Sequence, residues 1–324
     1  MSLRRLTQLY RPSCLLVASS AVVLLAGSDF SSAGIQGTGR MALLASVGRI
    51  TSSGNTISVN GVAYGLSGAK INVDGHSASS SQLQVGQIVT VQGTLNGAGK
   101  ADASSVTFAG NVAGPVTQVD VAAGTFTVLG QTVSIDGETL FGEGIQPAGI
   151  GALRVGTDVE VSAFATASGQ LLATRIDLQS AGAPLQVQGA VQALDSGAQT
   201  FQINSLTIEY GQAAVSGTLA NASVATVTAT EYPNAGTLHA ATVQVSNGIG
   251  AAAGVHGQVE GLITSLQSES SFYIGDQLIV TNSGTRLVLH GNTVRPNLAV
   301  KVTGTFDSSG ALVAKQLHVE RPAP

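Results

Sequence analysis

Apolar and polar residues alternate in short runs along this chain, with the two-residue period of a strand that buries one face. Four runs, IVTVQGT (88–94), VEVSAF (159–164), VATVTAT (224–230) and VKVTGT (300–305), lead towards turn-forming sets, NGA (96–98), TAS (166–168), PNA (233–235) and DSS (307–309). A further alternating run follows each time: GKADASSVTF (99–108), GQLLATRIDL (169–178), GTLHAATVQV (236–245) and GALVAKQLHV (310–319). These four align without gaps, and their first glycines stand 70, 67 and 74 residues apart. The pattern predicts one β-hairpin repeated four times. Ala103, Ala173, Ala240 and Ala314 share a position two residues after an inward apolar residue, so they are expected to be buried where the strand passes close to a neighbour.

The segments before these hairpins repeat as well. GPVTQV (114–119), GAVQAL (189–194) and GQVEGL (257–262) are equivalent openings, with VGRI (47–50) as the first copy. After them come TISV (56–59), TFTV (125–128), TFQI (200–203) and SFYI (271–274), whose apolar positions again alternate. In the first copy Asn60-Gly61 follows, the pair most favoured in a two-residue type I′ turn. Phe126, Phe201 and Phe272 recur at one position, as core anchors do. The boundaries implied are 45–110, 111–182, 183–250 and 251–324. Five to six short strands in about 70 residues cannot bury both faces of a flat sheet, whereas closure removes exposed edges. The expected fold is all-β: four tandem small β-barrel, OB-like modules of five to six short strands each, with a pair of packed small sheets per module as the alternative.

Composition strengthens the β reading, since only 10% of residues are charged and no stretch carries the blend of a surface helix. The N-terminus adds a different element. Residues 1–28 place Arg4, Arg5 and Arg11 before the apolar run CLLVASSAVVLLAG (14–27), the layout of a signal peptide. That run is short of the ~20 residues that span a bilayer. Export is therefore expected, with cleavage after Ser28 or Ala33, residues 29–44 as a flexible lead-in, and no integral membrane span in the mature chain. LLAGS (24–28) has Ser28 where a lipoprotein box needs cysteine, so no lipid anchor is expected; Arg4-Arg5 leaves the twin-arginine route as a minor alternative. Without the leader, 11 basic side chains face 18 acidic ones. That balance, with no Trp and 4% aromatics, argues against a nucleic-acid partner. Cys14, the only cysteine, lies in the leader, which removes thiol and disulfide chemistry from the mature protein.

GIQGTG (34–39), ISVNGV (57–62), LQVGQIVTVQGT (83–94) and GPV…FTVLGQTV (114–133) together resemble the bacterial family called domain of unknown function 5666. The resemblance runs over residues 34–320, is best in the first two modules and fades in the third, where Asn221-Ala222 replaces a Val-Gly pair. It implies an envelope or secreted protein of β-repeats and supplies no mechanism. Ser28 departs from the lipoprotein pattern of that family.

Candidate chemistry is sparse. His76, His239, His256, His290 and His318 form no HxH or HxxxH pair, and metal ligation needs several such groups brought together. Asp136 and Glu138 flank a glycine at a strand end, as Asp74-Gly75 does, which is turn chemistry and not the spaced carboxylates of a glycosidase. Asp307 starts a turn without the oxygen ladder of a calcium loop. Gly34, Gly37 and Gly39 lack the strand–helix context of a dinucleotide site. No catalytic, cofactor-binding or metal site is expected, and no cofactor. The expected function is that of a non-catalytic structural, adhesive or protein-binding envelope module at the periplasm, cell surface or exterior, with envelope proteins or surface polysaccharide as partners. The alternative is a small-molecule or glycan-binding protein using barrel mouths or inter-module clefts. The variable loop 142–151 is the expected place for a site outside the framework.

Overall fold

The computed structural model describes residues 42–97, 99–180 and 182–320. The expected leader, its cleavage positions, Ser28 and the glycines of the lead-in lie outside these residues; positions 43 and 44 already belong to the first strand. Apart from two single 3-10 turns, the regular structure of the described residues is all strand.

The first module contains β1 (Leu43–Ser52), β2 (Thr56–Val59), β3 (Val62–Gly65), β4 (Lys70–Val73), β5 (His76–Ser77), β6 (Ile88–Gly97) and β7 (Lys100–Phe108). Its hydrogen-bonded circuit β1-β2-β3-β7-β6-β1 is closed, antiparallel except for β3 with β7. That is the five-stranded OB-like barrel, with β4 and β5 added outside it. The second module repeats the circuit with β8 (Val112–Asp120), β9 (Thr125–Val128), β10 (Gln131–Ser134), β11 (Leu140–Phe141), β12 (Asp158–Ala165) and β13 (Leu171–Leu178). Here β8-β9-β10-β13-β12-β8 closes, and β10 and β13 are the parallel pair.

In the third module the same circuit opens at two points. It is built from β14 (Leu185–Ala190), β15 (Gln192–Asp195), β16 (Thr200–Ile203), β17 (Leu206–Glu209), β18 (Ala214–Ser216), β19 (Val224–Ala229), β20 (Thr237–His239) and β21 (Thr242–Val245). Breaks at Val191 and at Ala240-Ala241 divide it into β15-β16-β17-β20 and a sheet holding β14, β19 and β21. The hairpin expected at 224–245 is therefore split. Its first strand stops at Ala229, so the start of the closing strand pairs in parallel with β17 and meets the returning chain only at the Asn234–Thr237 bridge. The fourth module, β22 (His256–Ser268), β23 (Ser271–Ile274), β24 (Gln277–Val280), β25 (Arg286–Val288), β26 (Ala299–Phe306) and β27 (Leu312–Val319), closes again.

One cross-link recurs in all four. Gly86, Gly156, Ala222 and Asn297, at φ 93°, 86°, 68° and 64°, donate to the carbonyls of Ile50, Val116, Val191 and Ile263 at 2.9, 2.8, 2.8 and 2.8 Å. The N–H groups of those four apolar residues return the bond to Gln87, Thr157, Ser223 and Leu298. The two bonds pin the opening strand where it bulges and bends from one half of the barrel to the other. The turn at Asn60-Gly61 has φ 55° and 80°, the type I′ signature.

Alternation sends the predicted residues inward. Ile57, Phe126, Phe201 and Phe272 fill the four cores, and Ala103, Ala173, Ala240 and Ala314 are all buried. Ala103 and Ala314 face Gly93 and Gly304 at a bulge, where a Cβ on either glycine would strike the opposite backbone. That burial and the close backbone approach predict that a residue larger than alanine overpacks the strand there.

Barrel closure does not remove every edge. The first half of each opening strand pairs with the fourth barrel strand on one side only, and the other side is covered by a neighbouring barrel. β1 runs parallel to β22 from Leu44↔His256 to Val47↔Val259, merging the first and fourth modules into one 13-stranded sheet. β8 pairs antiparallel with β14, joining the second and third, whose apolar cores are continuous. The fourth module thus returns to the first. The loop 142–151 serves the second barrel, into which Ile145 and Ile150 plug, and it lies away from the cleft described next.

Candidate functional site: a polar cleft between the modules

Pairing one with four and two with three leaves a cleft of about 1720 Å³ to which all four modules contribute. Its widest wall is the outer face of β14, β19 and β21. Val187, Val227 and Val243 point into the core, so the residues between them point out. Register lines these up as two rows, Gln186–Thr228–Thr242 and Gln188–Thr226–Gln244, all uncharged donors and acceptors. Gln188 Nε2 donates to Thr226 Oγ1 at 3.3 Å, and the Thr228 and Thr242 hydroxyls are 2.7 Å apart. From the second module, Asn111 Nδ2 donates to Gln188 Oε1 at 3.0 Å, while Gln186 Nε2 donates to the Gly110 carbonyl at 2.5 Å. A third polar row, Thr90–Thr107–Asn72, comes from the first module.

Specific bonds hold the modules in place around this space. Ser162 Oγ accepts from the Ile88 N–H at 2.8 Å, and Arg175 Nη1 donates to the Val85 carbonyl at 3.0 Å. Asn204 Nδ2 reaches Gln131 Oε1 at 2.6 Å and the Gly169 carbonyl at 2.9 Å. Asn297 Oδ1 accepts from Ala167 N–H at 2.7 Å, and Ser246 bonds to Asp276. At the β1–β22 seam the buried Glu260 accepts from both Arg49 Nε at 2.8 Å and Arg49 N–H at 3.2 Å, and the guanidinium lies over Phe164.

Asp74, His76, Glu160, Glu260 and Asp276 also line the cleft, and two of them act as a pair. Glu160, on β12, is pushed up to about 8, first by burial and then by the charge of Asp74, with which it shares a hydrogen bond. Asp74 also accepts from Gly110 N–H at 3.1 Å. Gly110 has to lack a side chain, because a Cβ there would stand 2.8 Å from Glu160 Oε1. Two carboxyls in direct hydrogen bond leave no gap for a glycosidic bond between them. Sequence pattern assigned Asp74 to a turn, where its φ of 50° does place it, and gave no sign of Glu160, one polar position in an alternating strand.

The other singled-out residues fall where turn chemistry predicts. Asp136 Oδ1 accepts from Glu138 N–H at 2.9 Å, and Asp307 Oδ1 from Ser309 N–H at 2.8 Å and Ala311 N–H at 3.1 Å. The Ser309 hydroxyl and these amides hold the Asp307 carboxyl below its ordinary range. His239 meets Glu209 at 3.0 Å, His256 is exposed on the β22 end, and His76 lines the cleft. His290 and His318 are brought together. Among the described residues no three His, Cys, Asp or Glu side chains gather as metal ligands, and no helix is long and apolar enough to cross a membrane.

Four tandem β-modules, three of them closed small barrels, around a shared polar cleft define a β-repeat protein. The chain belongs to the family described as Domain of unknown function (DUF5666), which matches residues 47–107, 113–177 and 260–318. The three stretches are the closed barrels, and the opened third module is the one outside them. Comparison with curated proteins finds no match. Among solved structures the chain is similar to one described as "drosophila Unr CSD456", at 12% identity over 65% of this chain and 98% of that one. The TM-score of 0.16 is too low to carry an argument.

Proposed function

We propose that this is an exported, non-catalytic binding protein that holds a neutral, hydroxyl-rich ligand of the glycan class in the inter-module cleft. The observation that carries the reading is the uncharged amide and hydroxyl face of β14, β19 and β21. Its rows at regular strand spacing offer paired donors and acceptors to a chain of sugar hydroxyls, and the carboxyls of the cleft, Asp74, Glu160, Glu260 and Asp276, stand on the other modules and disfavour an anionic ligand. The directly bonded Asp74–Glu160 pair supports a binding role over hydrolysis, and the leader pattern supports export. A second reading, a rigid structural element of the envelope, is favoured by the bracing of every module against two others.

A glycan array probed with the full chain tests the first reading. Binding to neutral oligosaccharides is expected, and Gln188→Ala with Thr226→Val should weaken it about tenfold, the loss of one or two hydrogen bonds at ~0.5–1.5 kcal/mol each. Absence of glycan binding, or binding indifferent to both substitutions, would leave the structural reading standing.

A further inference from the structure

The geometry points to a two-histidine site on the outer surface of the fourth module that binds a tetrahedral divalent metal ion of the zinc class. His290 and His318 lie 28 residues apart in sequence, and their Nε2 atoms approach to 3.3 Å. Two imidazole nitrogens on one ion at 2.0–2.1 Å under a tetrahedral angle stand about 3.3–3.4 Å apart. Rings that converge on one ion in this way have centroids about 5.2 Å apart, since each centroid lies about 1.15 Å behind its nitrogen. The observed centroid separation is 5.2 Å, with the rings at 81°. The 3.3 Å contact is itself a hydrogen bond between the rings, and a collinear one would put the centroids farther apart, so the ring axes are bent out of line, as two rings sharing an ion are.

Both rings are presented by rigid backbone. His318 is on β27, between its neighbours on β25 and β26: Val288↔His318 is a ladder pair, and so is Lys301↔His318. His290 occupies the second position of a tight turn in which Asn292 N–H donates to the Leu289 carbonyl at 2.9 Å and Asn292 Nδ2 to the same oxygen at 3.0 Å. The φ values of His290 and Gly291, 49° and 83°, are those of a type I′ turn. Lys301 is the cation nearest in register, and the carboxylates of Glu260 and Glu320 oppose its charge. Among the described residues no third His, Cys, Asp or Glu is gathered with them, so these two rings supply two of the ion's four ligands. Nitrogen ligands at tetrahedral spacing select zinc over the oxygen-seeking magnesium and calcium.

Calorimetric titration of the full chain with zinc chloride in a non-coordinating buffer tests this. One equivalent should bind, His290→Gln and His318→Gln should each weaken binding at least tenfold, and His256→Gln, in the same module, should leave it unchanged. Cobalt(II) in place of zinc should give the intense visible bands of a tetrahedral ion, lost in either variant. Both positions are on the surface, and circular dichroism melts of the variants matching the parent would show that the fold is intact. Failure to bind one equivalent, or binding that survives both His290→Gln and His318→Gln, overturns the site. The cleft and its ligand are unaffected by either result.

Discussion

Ala222 occupies the left-handed position that two other modules fill with Gly86 and Gly156 and the fourth with Asn297. An L-residue with a Cβ there costs about 1–2 kcal/mol, and glycine gives back about 0.5–1 through its greater freedom in the unfolded chain. Ala222→Gly should therefore stabilise the protein by about 0.5–1 kcal/mol, read as an increased denaturation midpoint at constant slope. A midpoint that falls would mean that the cross-link to Val191 is not under strain. The departure was visible in sequence as Asn221-Ala222 in place of Val-Gly. Its cost was not, since only the φ of 68° reveals the left-handed backbone.

Glu160 yields a second residue-scale prediction. Its carboxyl keeps a proton up to about 8 in the folded chain because burial and Asp74 disfavour the anion, whereas the unfolded chain releases that proton near the ordinary 4.5. Between these values the folded state binds more protons than the unfolded one, so stability falls as pH rises through the window. The melting temperature should decline from pH 5 to pH 8, and Glu160→Gln, which keeps a neutral donor at the site, should flatten that decline. Parallel curves for parent and variant would remove Glu160 from the account.

At the scale of elements, the hairpins, the recurring aromatic and the inward alanines were all legible in the sequence because each rests on local alternation and turn chemistry. The third module shows where such legibility stops. VATVTAT and GTLHAATVQV have the same pattern as their counterparts, yet β20 and β21 belong to different sheets. Strand β19 ends at Ala229, short of the positions that pair with the start of the closing strand in the second module, and nothing in the local pattern marks that stop. The loop 142–151 departs in the opposite sense. Its place outside the repeated framework made it the expected position for a site; Ile145 and Ile150 pack into the barrel, while residues 146–148 between them stay exposed. The seam between β1 and β22 was also invisible: VGRI and GQVEGL look like any other openings, and Arg49 and Glu260 are ordinary surface-type residues 211 positions apart.

For the whole molecule, the seam is an edge problem solved between repeats. The first half of β1 has β6 on one flank and β22 on the other, so removing residues 251–324 would leave those N–H and C=O groups of Leu44–Val47 that face β22 without their partners. An unpaired strand edge of this kind recruits another chain. The shortened protein should self-associate, eluting from a sizing column as a dimer or larger where the full chain does not; a monodisperse monomer of unchanged stability would show that the fourth module does not protect that edge.

The sequence by itself determined the class of fold, the four-fold repetition, the core anchors and the turns, because all of these follow from interactions between residues close along the chain. Which barrel covers which edge, and hence the cleft with its rows of Gln and Thr, was decided only by tertiary structure. Half-open opening strands are equivalent in every repeat, and nothing local distinguishes a neighbour in sequence from a partner two hundred residues away. The pairing of Asp74 with Glu160 and of His290 with His318 has the same origin: neither member of either pair is unusual until the fold places it beside the other.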